Sequence, residues 1–492
     1  MDDVPGFALA IALISGAGLL AVLSNRVSER IRLPAPAIFL VAAAVISDLV
    51  PALSRIPVLT VQRVVTVMLV LLLFDGGMHI GWRRFRSAGG TVLWIGVVGT
   101  LVTTVGVAVL AHVAFGFGWQ AALLLGVALA PTDPAVVFSV LGRREITGRS
   151  GTVLEGESGA NDPVGIAAMA ALLTAGSTGG WHAVGAGVVE FALEMVVGAA
   201  VGIAGGYLLA TAMRRIPLPS AALYPLRTLL AAGAIYGLAT VAHGSGFLAV
   251  FIAGILVGDI RAPYKAEIER FHSSLASLAE IVAFTMLGLT VSIAGLEHGD
   301  GWVIGLVLAV LLALVVRPLL VGVLLIPVRL GGGERVFVLW SGLKGAVPIL
   351  LGTYILSSGV ADANRLYQIV VVVVTFSVVV QGGLAPEVAR RAGVPMRVVT
   401  PEPWALGMRF RHEPTGLHRH VVGQGSPADG TTLADLVLGE DAWVSMINRG
   451  GAVVAPTGAT SLRAGDEVLI LTDPDADTTV APLFEPPDNA GS

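Results

Sequence analysis

The sequence predicts an all-α polytopic membrane protein. About thirteen transmembrane helices, arranged as two inverted repeats with crossing unwound helices, precede a small cytosolic α/β domain. Three observations predict this class. The 492 residues are 55% hydrophobic and only 13% charged, against about 25% charged in a soluble globular protein. Apolar runs near the 20 or so residues that a hydrocarbon core demands recur as far as residue 386. Two of those runs are broken by Gly, Pro and a charge at matching places in the two halves.

The spans read in order as 6–23, 34–53, 58–78, 88–115, 119–141, 157–176, 182–211, 222–242, 245–260, 273–295, 301–328, 334–357 and 366–385. Spans one to six and eight to thirteen form the repeats, with the seventh as connector. The abundant Gly, 62 residues, suits close helix packing in lipid. The acidic start (Asp2, Asp3) is not that of a cleavable signal peptide, so the first run reads as a retained span. Alternate loops carry the cations: Arg26, Arg30 and Arg32; Arg83, Arg84 and Arg86; Arg143, Arg144 and Arg149; Arg214 and Arg215; Arg261, Lys265 and Arg270; Arg329 and Arg335. Opposite loops carry little beyond Arg55 and Arg365. Cytoplasmic loops accumulate Lys and Arg, which places the N-terminus outside, the C-terminus inside, and the chain in the plasma membrane. No cysteine is present, so disulfides and thiolate metal sites are excluded. A net charge of −4 gives no reason to expect a nucleic-acid partner.

Past residue 386 the composition changes. The expected division is a transmembrane exchanger domain over 1–386, a Pro-containing linker over 387–404, a regulatory α/β domain over 405–480 and a disordered tail over 481–492. Short apolar runs (Trp443 to Ile447, Val468 to Leu471) separated by turn residues support the small domain.

Charges in apolar spans are costly and normally face a cavity or a partner. In the fifth span, Pro131 and Pro134 remove two amide donors around Thr132 and Asp133. Unwound backbone at membrane depth must be packed or line a cavity, and freed carbonyls such as that of Thr132 become cation ligands. In the twelfth span Gly342, Gly345 and Pro348 break the helix beside Lys344. Two ordinary proline kinks are the alternative, which leaves the coincident charges without a reason. In the sixth span Ser158 and Asp162 share a helix face, with Asn161 adjacent; their oxygens suit a hard monovalent cation. Glu155 reads as a helix cap.

These residues carry a family resemblance. Leu73-Phe-Asp-Gly-Gly77, Pro131-Thr-Asp-Pro134, Glu157-Ser-Gly-Ala-Asn-Asp-Pro163, Arg317-Pro-Leu319 and Gly342-Leu-Lys-Gly-Ala-Val347 run in the order found in NhaP-type monovalent cation:proton antiporters. Within that group the chain is similar to the potassium/proton antiporters of the cell volume regulation protein A type. Gly416 to Leu436 and Thr460 to Leu471 are similar to the TrkA-C (RCK_C) domain. The resemblance implies a secondary transporter rather than an enzyme, with no cofactor and no metal beyond the transported potassium or sodium ion. Asp162 would bind cation and proton in turn. Asn161 and Asp133 would assist it, with Ser158, the Thr132 carbonyl and Asp75 as further cation ligands. Glu157 and Arg317 would form a structural ion pair, and Lys344 would compensate the broken helices. A homodimer, membrane lipid and a small-molecule regulator on the C-terminal domain are the implied partners.

With Asn161 beside it, Asp162 is one titrating charge, so one cation per proton is expected. Glu190 and Glu194 read as a solvated interfacial face, with a funnel as the alternative. Glu280 is left without a role unless it pairs with Arg227. His79, His112, His243 and His272 read as interfacial residues, with pH sensing as the alternative. A sodium/proton exchanger of the same fold is the near rival and a cation channel the rival from another class, but no filter motif is visible.

Overall fold

The computed structural model describes residues 34–50, 56–141, 144–146, 149–178, 181–296, 299–398, 417–438, 442–450, 452–472 and 477–485, together with Ala8, Gly16, Gly18 and Leu19. The first expected span therefore lies outside the described residues. The chain divides into two compact units, Met1–Val399 and Thr400–Ser492.

The larger unit is helical. Its elements are α1 (Ala35–Leu49), α2 (Val58–Leu93), a π-turn (Trp94–Gly99), α3 (Thr100–Phe115), α4 (Trp119–Leu129), α5 (Ala135–Leu141), β1 (Arg144–Ile146), α6 (Arg149–Thr178) and α7 (Trp181–Arg215). Then follow α8 (Leu223–Val241), α9 (Gly246–Gly258), α10 (Lys265–Gly288), α11 (Ile293–Leu296), α12 (Gly301–Leu311), a π-turn (Leu312–Val316) and α13 (Arg317–Leu324). The series ends with α14 (Gly332–Trp340), α15 (Ala346–Ser357), α16 (Ala363–Phe376), a π-turn (Ser377–Gly382), α17 (Gly383–Arg391) and β2 (Met396–Val398). Among the described residues the expected spans after the first fall largely on helix, the fifth and twelfth with breaks at 130–134 and 341–345. Among the described residues, five helical stretches are long and apolar enough to cross a membrane: Val58–Phe115, Gly185–Arg215, Lys265–Gly288, Gly301–Leu324 and Ala363–Arg391. The short apolar helices include α4 and α15, which the broken backbone cuts below bilayer length.

Three expectations need correction. The loop placed between the third and fourth spans is helix. The 58 residues of Val58–Phe115, at about 1.5 Å each, exceed one bilayer, and the chain turns at Gly81, whose φ of 65° and ψ of 164° only glycine adopts at little cost. Asp259, just past α9, caps the second half: Arg83 N–H donates to its carboxylate at 2.6 Å. The linker expected over 387–404 begins later, because α17 runs to Arg391 and β2 pairs antiparallel with β1 in the same unit. Finally, Glu155 is no cap; α6 starts six residues earlier, so Asp162 lies mid-helix.

The smaller unit is an antiparallel sheet of β3 (Leu417–Val421), β4 (Trp443–Arg449), β5 (Ala452–Val454) and β6 (Glu467–Leu471), ordered β3-β6-β4-β5, with α18 (Asp477–Phe484). Alternation along β6 buries Val468 and Ile470. Val480 and Phe484 of α18 complete that core, so the domain extends past residue 480 into the segment expected as tail.

Candidate functional site

Two breaks in helix meet in the membrane unit. The extended segment between α4 and α5 crosses the segment between α14 and α15: Asp133 N–H donates to the Leu343 carbonyl at 2.8 Å. Approach this close needs glycine. A Cβ on Gly345 would overlap the Asp133 carboxylate, and one on Gly342 would overlap the Arg317 guanidinium. The pairing of one broken segment with the other satisfies backbone groups that hydrocarbon would leave orphaned.

Each half-helix end then meets a charge of the sign its dipole favours. Lys344 Nζ donates to the carbonyls of Ala130 and Pro131, both at 3.1 Å, at the C-terminal end of α4. Its own N–H donates to Ser377 Oγ at 3.0 Å, and Ser377 donates to Gln381 Oε1 at 2.7 Å. Arg317 donates through Nε to Leu339 O at 3.0 Å and through Nη2 to Val338 O at 3.3 Å, at the C-terminal end of α14. Asp133 Oδ1 accepts from Ala135 N–H at 2.9 Å, at the start of α5. The Ala346 N–H that opens α15 also faces this carboxylate. Asp133 is therefore a cap for two helices, and Lys344 a C-terminal counter-charge.

Glu157 and Arg317 form a bidentate pair at 2.9 and 3.1 Å, both side chains about 95% buried or more. Thr132 Oγ1 donates to Glu157 Oε1 at 3.4 Å and accepts from Asn161 Nδ2 at 2.7 Å. That chain of bonds turns Asn161 so that its Oδ1 is buried without a partner. Asp162 is 8% exposed, and among the described residues no donor reaches its carboxylate. The Thr132 carbonyl likewise accepts no backbone N–H. The crossing thus holds two cations, Arg317 and Lys344, against three carboxylates, Glu157, Asp133 and Asp162. One negative charge is left over, and Asp162 is the one without a donor. The arrangement can hold a proton or a small desolvated cation, with Asp162, Asn161 Oδ1 and the Thr132 carbonyl as oxygen ligands. Among the described residues no group of three His, Cys, Asp or Glu side chains is placed to hold a resident metal ion.

The remaining expected residues divide. Ser158 is half-buried one turn before Asp162, and no hydrogen bond ties it to the crossing. Asp75 stands in its own cluster: it faces His79 Nδ1 at 3.3 Å and accepts from Ser273 Oγ at 3.3 Å. His272 is no interfacial residue; it is 1% exposed, bonded to Thr228 Oγ1 at 2.8 Å and tilted against Phe74. His112 bonds the Phe117 carbonyl and stacks on Trp119. Glu280 does not pair with Arg227. The guanidinium instead donates to the carbonyls of Ala212 and Ile216, and Glu280 Oε1 is buried without a partner. Glu190 and Glu194, both half-buried, line an open cleft of about 940 Å³ with Tyr236, His243, Tyr354 and Ile166, the last one turn beyond Asp162. The capping role of Asp133 and the orphaned Asn161 oxygen were hidden from the sequence, which records neither partner.

The profile of the family described as "Sodium/hydrogen exchanger, transmembrane" matches residues 17–391, and that of the TrkA-C domain matches residues 417–484. The K(+)/H(+) antiporter NhaP of Alkalimonas amylolytica is 34% identical over 388 residues, covering 78% of this chain and 66% of the relative. The K(+)/H(+) antiporter NhaP2 of Shewanella oneidensis is 28% identical over 477 residues, covering 96% and 82%. The Na(+)/H(+) antiporter NhaH of Halobacillus dabanensis is 28% identical over 352 residues, covering 67% and 83%. Among solved structures, the sodium proton antiporter MjNhaP1 of Methanocaldococcus jannaschii matches with a TM-score of 0.64 at 22% identity, covering 78% of this chain and 99% of that one. That last likeness concerns the fold.

Proposed function

This chain belongs to the sodium/hydrogen exchanger family, and we propose that it is a secondary antiporter exchanging a monovalent cation for a proton at Asp162. The observation that carries the site is the buried Asp162 carboxylate, which no donor reaches among the described residues, beside the orphaned Asn161 Oδ1, where two broken helices cross. A bare buried charge is costly, so the carboxylate is neutralised by whichever of the two cargoes it holds. Loaded, the site is electrically balanced and can be exposed to either side; empty, it carries the surplus charge and stays. Exchange follows from that asymmetry, by alternating access.

Asn161 at the neighbouring position leaves one exchangeable charge, which supports one cation per proton and no net charge moved. Potassium is the favoured cation: two of the relatives named above are K(+)/H(+) antiporters, one of them matched over 96% of this chain, and the attached TrkA-C domain supports the same reading. Sodium is the second reading, favoured by the name of NhaH. Thirteen spans in two inverted repeats, an outside N-terminus, a cytoplasmic C-terminal domain open to a small-molecule regulator, and a homodimer in the plasma membrane complete the proposal. The charged-loop asymmetry supports the orientation.

The test is proton flux in proteoliposomes, with potassium and sodium applied separately at several pH values. Asp162→Asn is expected to abolish cation-driven proton movement with either ion while the purified protein stays folded. Full activity in that variant would remove Asp162 from the mechanism.

A further inference from the structure

Glu280 lies on α10, which packs against α1, α2, α8 and α15. Its Oε1 is shielded from solvent and bonded to nothing among the described residues. Several charged groups on the neighbouring elements have partners of their own, although Arg227 Nε and Nη2 are buried without one among the described residues. Asp48 of α1 accepts from Ala294 N–H, and Asp75 of α2 is held by His79 and Ser273. Arg227 of α8 is bonded to carbonyls of α7. Lys344, just before α15, is bonded to carbonyls at the end of α4. On α10 itself Lys265 pairs with Glu269, and His272 bonds Thr228. Among the described residues, Asp133 interacts electrostatically with Glu280.

Two positions on this helix give Glu280 a direction. Ser273, which donates to Asp75, precedes it by seven residues, so at 3.6 residues per turn both point from one face. That face carries Ser273 at the Asp75–His79 cluster and Glu280 two turns on, and α10 packs against α15, which opens at the crossing. A buried carboxylate with no basic partner needs a proton or a cation to offset its charge. A dehydrated cation needs several oxygen ligands, whereas a proton needs one lone pair. Among the described residues, the carboxylate that interacts with Glu280 is Asp133, whose Oδ1 is occupied by Ala135.

We propose that Glu280 is a proton relay between the Asp75 side of the bundle and Asp162. This deepens the antiport reading and rests on it. As the cation leaves, the Glu280 carboxylic acid gives up its proton and Asp162 gains one: one O–H bond breaks, one forms, and no electrons change hands. The Glu280 carboxylate is then reprotonated from the Asp75 side. The proton count per cation stays at one, because the relay passes on the same proton that Asp162 binds.

A relay is needed only when a proton is a substrate. The experiment therefore compares two modes in vesicles holding the full-length protein. One is cation-driven proton movement; the other is exchange of labelled for unlabelled cation of the same element, which consumes no proton. Glu280→Gln is expected to slow the first by about tenfold or more, within the range typical of a lost proton-transfer group, and to leave the second within about twofold, while Glu280→Asp restores part of the proton-coupled rate. Equal loss in both modes would make Glu280 a structural residue, and no loss in either would make it a bystander; each overturns the relay. Asp162→Asn, run alongside, is expected to lose both modes, so failure of the relay is separable from failure of the antiport site.

Discussion

The Glu157–Arg317 pair is a buried, bidentate ion pair beside the proposed transport site. Its guanidinium spends four donor contacts on two carboxylate oxygens and two carbonyls. Desolvating such a pair is expensive, but removing one partner is worse, because the other charge is stranded. Glu157→Gln is expected to destabilise the detergent-solubilised protein by about 3–5 kcal/mol, read as a lowered unfolding midpoint, and Glu157→Leu with Arg317→Met to destabilise it less than either single change. A double variant worse than both singles would contradict the stranded-charge account. The same reasoning separates Asp133 from Asp162. Both are carboxylates shielded on broken or polar helix, but Asp133 is bonded to the N-terminus of α5, whereas among the described residues no donor reaches Asp162.

At the scale of elements, the crossing is held by backbone as much as by side chains. The bond from Asp133 N–H to Leu343 O joins the two extended segments, and glycine lets them approach. Gly345→Ala places a methyl group where the Asp133 carboxylate sits. Overpacking of that kind costs about 1–3 kcal/mol, and here it pushes Asp133 off the helix starts it caps. The expected outcome is a protein that still inserts and purifies, with proton flux in vesicles reduced by about tenfold. Unchanged flux would show that the close approach is dispensable. Gly81 combines two uses of glycine: a backbone angle that turns one long helical stretch into two arms, and a close approach to the Asp259 carboxylate that caps the second, which a Cβ would overlap.

At the scale of the molecule there are two units, each with a hydrophobic core of its own. The C-terminal unit is tied internally by Arg449, which donates to both Asp466 oxygens, at 2.8 and 2.7 Å. That guanidinium, with the Arg463 N–H, holds the Asp466 carboxyl below its ordinary range. A lowered folded-state value means the bond contributes fully above the unfolded carboxylate value of about 3.9, and the contribution is lost as pH falls through the lower folded value. In the isolated domain, Asp466→Asn is expected to cost about 1.5–3 kcal/mol at pH 7 and progressively less below pH 4 or so. Denaturant midpoints at both pH values check it; an equal deficit at each would point to packing rather than charge.

Composition and period were enough to place the helices, because a bilayer demands about 20 apolar residues wherever a chain crosses it. Pro131, Pro134, Gly342, Gly345 and Pro348 were enough to show where helix would fail, since those residues break helices by local sterics. The Glu157–Arg317 pair entered through the order of short motifs, as did the choice of Asp162. What the sequence could not contain was which buried charge has a partner. Asp75, Asp133, Asp162 and Glu280 are all acids in apolar surroundings, and their local patterns do not rank them. Only the packed bundle decided which acids have partners: it brings amides to Asp133, brings His79 and Ser273 to Asp75, and among the described residues brings no donor to Asp162 or Glu280 Oε1. Electrostatic satisfaction depends on distances between residues far apart in the chain, and those are set by tertiary packing alone.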